Sequence, residues 1–189
     1  MLTDNYEKFR TSMFTGVGQT FTSCSGATFT NTPMHSGLSD IGNHMSKAVI
    51  GALPTSTGSQ YLTNGFGGVY FGTGSTPAWK GDITLESPIT SGITTTSAGR
   101  SVAVKEADGR YSYTSMFSLS NTTSEAINIY EIGMFIPISS ASTTYHCCLV
   151  ERTVLPKPIT IAPGSSKLIT YKITFNQTLV IDNSGETVE

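Results

Sequence analysis

The stretch Lys167-Leu168-Ile169-Thr170-Tyr171-Lys172-Ile173-Thr174-Phe175 decides the fold class, because apolar and polar side chains alternate along it. Ile169, Tyr171, Ile173 and Phe175 share one face, and a period of two residues is typical of a strand with one buried face. We therefore expect a β-strand over residues 167–175, with those four side chains in the core.

Similar strand patterns recur at short intervals on the N-terminal side of this stretch. They cover residues 69–71, 102–105, 111–119, 127–135, 146–154 and 159–161, and a Pro-Gly turn at residues 162–165 leads into the stretch itself. Six or more strands predict a β-sandwich, since a single open sheet would leave one of its faces without a partner. Tyr113, Phe117 and Ile129 are further predicted core residues.

Turn residues suggest how these strands connect. Asp108-Gly109 favours a two-residue type I′ turn, which would place Val104 opposite Tyr113. A second hairpin is predicted through the polar loop at residues 121–126. Pro137 is expected to end one strand, and Pro156-Lys157-Pro158 to interrupt another.

Residues 39–53 carry the helical pattern of the chain. Apolar side chains recur there at helical spacing, namely Ile41, Met45, Ala48, Val49 and Ala52. Ser39 or Asp40 can cap this segment and Pro54 can end it. The sequence thus predicts an all-β domain with one short helix.

Composition supports the all-β class and limits the partners. Ser and Thr supply 53 of 189 residues, whereas charged residues supply only 13%. The net charge of −2 gives no field that would attract free nucleic acid or an anionic membrane. The N-terminus lacks the pattern of a secretory signal, so we expect synthesis in the cytoplasm and three reduced cysteines.

The first 38 residues show isolated aromatic side chains among Thr, Ser and Gly, and we interpret them as extended chain. They are either short strands inside the fold or an arm that docks on a neighbouring subunit. We expect the arm, which makes residues 39–189 the β-sandwich domain. The candidate contacts with partner chains are Phe9, Phe14, Phe21, Phe29 and the single tryptophan, Trp79.

No arrangement of residues indicates catalysis, so we expect no catalytic, cofactor or metal site. His146-Cys147-Cys148 resembles soft metal ligands, but zinc sites need four ligands, and adjacent strand residues point to opposite faces. Glu131 is unusual because it lies inside the apolar run of residues 127–135. A structural ion pair or turn anchor is the favoured interpretation, with Arg152 or Lys172 as its partner.

Three stretches together resemble small β-rich structural proteins of tailed bacteriophages, which are head, neck and tail components. The first is Tyr70-Phe71-Gly72-Thr73-Gly74-Ser75-Thr76-Pro77, leading into Leu85-Glu86-Ser87-Pro88-Ile89. The second is Ile127-Asn128-Ile129-Tyr130-Glu131-Ile132-Gly133-Met134-Phe135. The third runs from Leu149-Val150-Glu151-Arg152 through Pro156-Lys157-Pro158 and Ala162-Pro163-Gly164-Ser165 to residues 171–175.

The resemblance implies a non-enzymatic virion protein that decorates or joins head (capsid), neck or tail parts. Its partners would be other copies of itself and other virion proteins, and it would be located in the virion. A module of a phage fibre that binds a glycan or another receptor on the host surface is the alternative, with Trp79 as its stacking residue. Under either interpretation we expect no membrane partner.

Overall fold

The computed structural model describes residues 1–31, 44–53, 67–100, 104–141, 144–175, 180–181 and 187–188. The helix α1 covers Asp4–Thr15, and His44 and Met45 are also helical. The strands are β1 (Thr20–Thr22), β2 (Thr28–Thr30), β3 (Ala48–Val49), β4 (Gly68–Gly72), β5 (Ile93–Arg100), β6 (Val104–Lys105), β7 (Tyr111–Asn121), β8 (Ile127–Ala141), β9 (Thr144–Ile161), β10 (Ser166–Phe175), β11 (Val180–Ile181) and β12 (Thr187–Val188).

Most strands belong to two four-stranded sheets. One has the order β3-β4-β8-β9, and the other the order β10-β7-β5 with β6 also paired to β7. β1 pairs with β2, and β11 pairs with β12. The predicted all-β class is therefore confirmed at the level of strands and sheets.

One hydrophobic core draws side chains from both larger sheets. The rings of Phe71 in β4 and Phe117 in β7 meet edge to face, with centroids 6.2 Å apart. Of the predicted core residues, Phe117, Ile129, Ile169, Tyr171 and Ile173 are buried, as expected. Tyr113 is half-buried against the same core. The side chain of Phe175 lies outside the described part of the structure.

The predicted strand at residues 167–175 is confirmed as β10. It pairs with β7 along its whole length, from Ser166 opposite Ser120 to Phe175 opposite Tyr111. The preceding turn is also as expected, since the Ser165 N–H donates to the carbonyl of Ala162 over 3.1 Å.

The helix predicted over residues 39–53 is only partly correct in the part that the structure describes, because His44 and Met45 are helical whereas Ala48 and Val49 are not. Ala48 and Val49 form β3, which runs parallel to Val69 and Tyr70 of β4. Residues 39–43 lie outside the described residues. A short apolar run fits a helix or a strand equally by periodicity, and here the pairing with a buried strand decides the outcome.

The helix α1 lies in the segment predicted to be extended. Tyr6, Phe9 and Met13 recur at helical spacing on α1, and Tyr6 and Phe9 are buried in the core. Thr3 is the N-cap residue, although its hydroxyl makes no cap hydrogen bond. Gly16, with φ of 65°, ends the helix in the left-handed conformation that glycine adopts without strain.

Residues 1–31 pack against their own chain. Leu2 forms a β-bridge with Glu151, and the Thr3 N–H donates to the carbonyl of Val150 over 3.0 Å. Phe21 of β1 is fully buried in the main core. For these residues the structure matches the intrachain alternative to a docking arm. The domain boundary predicted after residue 38 falls outside the described residues.

The Asp108-Gly109 turn exists, but its register differs by one residue from the prediction. Val104 lies opposite Ser112, where Tyr113 was expected. The Glu106 N–H donates to the carbonyl of Arg110, so three residues form the loop, and its last residue, Gly109, has φ of 82°. Such loops are the next commonest hairpin connection, and a shift of one residue moves each side chain to the other face.

Three further predictions about strand ends and connections are wrong. β7 and β8 belong to different sheets, so residues 121–126 cross between sheets and form no hairpin. Pro137 does not end β8, which continues to Ala141 with Pro137 opposite Cys147. β9 likewise continues through Pro156 and Pro158, because the register shift between Ile129 and Glu131 of β8 absorbs the proline segment as a bulge.

Candidate functional site

Glu131 is a fully buried carboxylate that binds the backbone of the loop between β4 and β5. It lies in β8 opposite Gly72, the last residue of β4. Oε1 accepts hydrogen bonds from the backbone N–H groups of Gly74, over 3.2 Å, and Ser87, over 2.7 Å. Oε2 accepts one from the Glu86 N–H over 3.0 Å. One side chain thus holds both ends of this loop.

Arg152 of β9 completes the surroundings of this carboxylate. Its Nε donates to Oε2 of Glu131 over 2.9 Å, and its Nη2 lies 2.9 Å from the same oxygen without hydrogen-bond alignment. The four hydrogen bonds match the roughly four lone-pair sites of an ionised carboxylate. Glu131 is therefore fitted for anchoring, and none of these sites remains for proton transfer to a substrate.

Two further carboxylates bind the same arginine and the same loop. Asp82 Oδ2 lies 2.8 Å from Nη1 of Arg152 and accepts the backbone N–H of Trp79 over 2.9 Å. Glu86 lies 3.7 Å from Nη2 and accepts the N–H and hydroxyl of Thr76. These hydrogen bonds from Thr76 hold the pKa of Glu86 below its usual range. We call Glu131, Arg152, Asp82 and Glu86 the Glu131 centre.

Two glycines of the loop are explained by this centre. A Cβ added at Gly72 would lie 2.4 Å from Oε1 of Glu131, and one added at Gly74 would lie 2.6 Å from it. Only glycine lets the backbone approach the carboxylate this closely. The Gly-Thr-Gly pattern is therefore a signal of a buried acceptor.

The centre places three acids around one base, an arrangement that is costly to bury. Removing charges from water costs several kcal/mol per ion, and hydrogen bonds of good geometry must offset that cost. Here three of the four hydrogen bonds to Glu131 come from a loop without regular strand structure, and the fourth comes from Arg152. The prediction of a structural ion pair and turn anchor at Glu131 is confirmed with Arg152 as the partner. Lys172 instead pairs with Glu106 over 2.6 Å.

Trp79 lies on the surface of the anchored loop. Its side chain is 64% exposed, and its ring covers Gly81, where an added Cβ would lie 2.3 Å from it. Ala78, directly before it, lines an open cleft of about 590 Å³ together with Tyr130 and Leu155. Trp79 is therefore a surface residue rather than a core residue, and its ring is accessible to a subunit or a sugar.

The other candidate contact residues occupy different environments. Phe9 and Phe21 are buried in the core of their own chain. Phe29 of β2 stacks on His146 of β9, with ring centroids 3.8 Å apart. The side chain of Phe14 lies outside the described part. The structure therefore brings none of these three aromatics together with Trp79 at a single site.

His146 makes a pH dependence of stability expected. Burial against Phe29 lowers the pKa of His146, whose Nε2 lies 2.9 Å from the Ser140 hydroxyl. As the pH falls, His146 therefore takes up a proton in the unfolded chain at a higher pH than in the folded chain. The free energy of unfolding consequently decreases as pH drops below about 6.5. In His146→Gln we expect a smaller loss of unfolding free energy between about pH 7 and 5.5, measured by urea denaturation. An equal loss in both proteins would contradict this role of His146.

Glu151 is a second buried acid, which the sequence pattern did not single out. Its Oε1 accepts the Thr153 hydroxyl over 2.5 Å and lies 2.8 Å from the amino group of Met1. The hydroxyl of Tyr171 in β10 donates to Oε2, which links the two larger sheets. Burial raises the pKa of Tyr171 above its usual range.

Within the described ranges, no three His, Cys, Asp or Glu side chains are grouped to hold a metal ion. The helix found in that part of the chain is too short and polar to cross a bilayer.

Comparisons of the sequence with protein-family models and curated proteins, and of the structure with solved structures, found no match. The geometry of the chain is thus the basis for a functional proposal.

Proposed function

We propose that this chain is a non-enzymatic structural protein of a tailed-bacteriophage virion, built around a β-sandwich. It would decorate or join head, neck or tail parts by packing against copies of itself and against other virion proteins. The contact of Phe71 with Phe117 and the hydrogen bond from Tyr171 to Glu151 support two sheets packed face to face.

The observation that carries this proposal is the convergence of the three phage-like stretches at the Glu131 centre. The first stretch supplies Gly72 and Gly74, the second supplies Glu131, and the third supplies Arg152. Stretches that are separate in sequence thus form one structural unit of strands β4, β8 and β9 and the anchored loop. The convergence favours a shared architecture over three unrelated similarities.

The outer face of the sheet β10-β7-β5 supports packing between subunits. Phe117 and Leu119 of β7 are buried, so the alternate residues face away from the core. With their neighbours they are Thr94, Thr96, Ser112, Thr114, Met116, Ser118, Ser120, Ser166, Leu168, Thr170, Lys172 and Thr174. Lys172 is the one charged side chain among these strand residues, and it forms an ion pair with Glu106, which also accepts the hydroxyl of the buried Ser112. Leu168 is 62% exposed. Few charges would need to be desolvated when such a face is covered.

Trp79→Ala is expected to weaken self-association while leaving the fold unchanged. An exposed tryptophan on a rigid loop has the features of an interface hot spot, whose removal weakens binding by about thirtyfold or more. Because the side chain is largely exposed, we expect the Tm to change by only about 2 °C. Sedimentation analysis over a range of protein concentrations measures the association.

Val17→Ala is the matched control, since Val17 is 57% exposed and lies just beyond the C-terminal end of α1. It should associate like the wild type. A monomeric wild-type protein, or equal association of wild type and Trp79→Ala, would count against Trp79 as a subunit contact.

A glycan-binding module of a phage fibre is the second candidate function. The exposed ring of Trp79 beside an open cleft favours it, because sugars stack on such rings. Glycan-array binding that disappears in Trp79→Ala, with self-association intact, would support this function over the structural one.

A further inference from the structure

Cys24 and Cys147 meet where the N-terminal hairpin touches the large sheet. Cys24 lies in the turn between β1 and β2, and its N–H donates to the carbonyl of Cys147 in β9 over 2.8 Å. The two side chains pack in one cluster, and the Cys147 thiol is near enough to lower the pKa of Cys24. These cysteines are 123 positions apart in the sequence, so the fold alone creates this pair.

The backbone geometry suits a covalent link between them. With standard bond lengths and angles, a single backbone hydrogen bond of 2.8 Å holds the two Cα atoms within about 5 to 6.5 Å of each other. Disulfides bridge Cα atoms about 4.4 to 6.8 Å apart. Both side chains also enter the same apolar cluster, with Tyr70, Phe135 and Leu149. A link therefore requires only a small adjustment.

We propose that Cys24 and Cys147 are an oxidisable pair that forms a disulfide when the protein meets a low-molecular-weight disulfide such as oxidised glutathione. The thiolate of Cys24 attacks one glutathione sulfur, which forms a mixed disulfide and releases one glutathione thiolate. The Cys147 thiolate then attacks the Cys24 sulfur and releases the second. Two protein thiols are oxidised, one glutathione disulfide is reduced to two thiols, and the two thiol protons pass to solvent or to the released thiolates.

The environments of the two thiols fit these roles. Cys24 is half-exposed, and the nearby Cys147 thiol lowers its pKa, which favours it as the attacking thiolate. Cys147 is buried, and burial raises its pKa, so it reacts second, with a partner already held beside it.

The third cysteine is excluded from this chemistry. Cys148 follows Cys147 in β9 and points to the opposite face, into the main core. Burial raises its pKa above the usual range of a thiol. The odd number of cysteines is thereby explained as one pair and one core residue.

The link would staple the N-terminal hairpin to the sheet that carries the Glu131 centre. Closing so long a loop in the unfolded chain favours the folded state, and we expect the Tm to rise by about 5 to 15 °C. The staple would form after the protein leaves a reducing cytoplasm, whatever its function.

The test starts from fully reduced protein incubated in a glutathione buffer rich in the oxidised form. The protein is then denatured in acid, its free thiols are alkylated, and intact-mass and peptide analysis count and locate them. We expect one alkylated thiol, at Cys148, and a peptide that joins Cys24 to Cys147. Cys148→Ala should keep the link and leave no free thiol, whereas Cys24→Ser should have no link and two free thiols.

Three outcomes would overturn the proposal. They are three alkylated thiols in the wild type, a glutathione adduct on Cys24 that never resolves, and a link that includes Cys148. A Tm that does not rise on oxidation would overturn the stapling role.

Discussion

Glu131→Gln is expected to lower the free energy of unfolding by about 3 to 5 kcal/mol, because it breaks a buried ion pair without changing side-chain size. Each oxygen of Glu131 accepts two hydrogen bonds. An amide keeps one oxygen and replaces the other with an NH₂ group, which cannot accept a hydrogen bond. In either orientation, two buried donors lose their acceptor. Urea denaturation followed by circular dichroism measures the loss.

Glu125→Gln is the matched control, since Glu125 is an exposed carboxylate in the connection between β7 and β8. Its effect should lie within about 0.5 kcal/mol of zero. If Glu131→Gln were as stable as this control, the hydrogen bonds at the Glu131 centre would contribute nothing net, and its role as a loop anchor would be refuted.

Phe9→Ala is expected to cost about 3 to 5 kcal/mol, the usual range for a buried phenylalanine. The side chain of Phe9 is 1% exposed and belongs to the main core.

A chain that starts at Ser39 would lose this ring together with Phe21 and the bridge from Leu2 to Glu151. We therefore expect that truncation to unfold or aggregate, as tested by circular dichroism and sedimentation.

Thr11→Ala is the control for this prediction, because Thr11 lies on the exposed side of the same helix. It should change the free energy of unfolding by no more than about 0.5 kcal/mol. A Phe9→Ala protein with the same Tm as the wild type, or a stable protein starting at Ser39, would show that the N-terminal segment is an independent arm.

The sequence predicted the features that depend on how apolar and polar side chains alternate between neighbouring residues. Ile169, Tyr171 and Ile173 were assigned to the core from their period of two, which identifies a strand with one buried face. Glu131 stood out because a charge inside an apolar run needs a partner, and Arg152 was one of the two expected. Both inferences needed only the immediate neighbours of each residue.

Features that depend on distant pairing were not predictable in this way. β3 and a helix fit the same apolar spacing, and only its pairing with β4 distinguishes them. α1 was missed because its apolar positions, Tyr6, Phe9 and Met13, are few and lie among polar residues. The donors to Glu131 are backbone N–H groups, which any residue except proline can supply, so no side-chain pattern indicates them.

If the proposed function is right, a tailed phage encodes this chain, and quantitative mass spectrometry of that phage's purified virions tests the proposal most directly. A structural protein that packs against copies of itself should be present in many copies per particle, in fixed proportion to the other virion proteins. The account predicts that constant, multiple copy number. A protein that is abundant in infected cells and missing from the purified particles would contradict it.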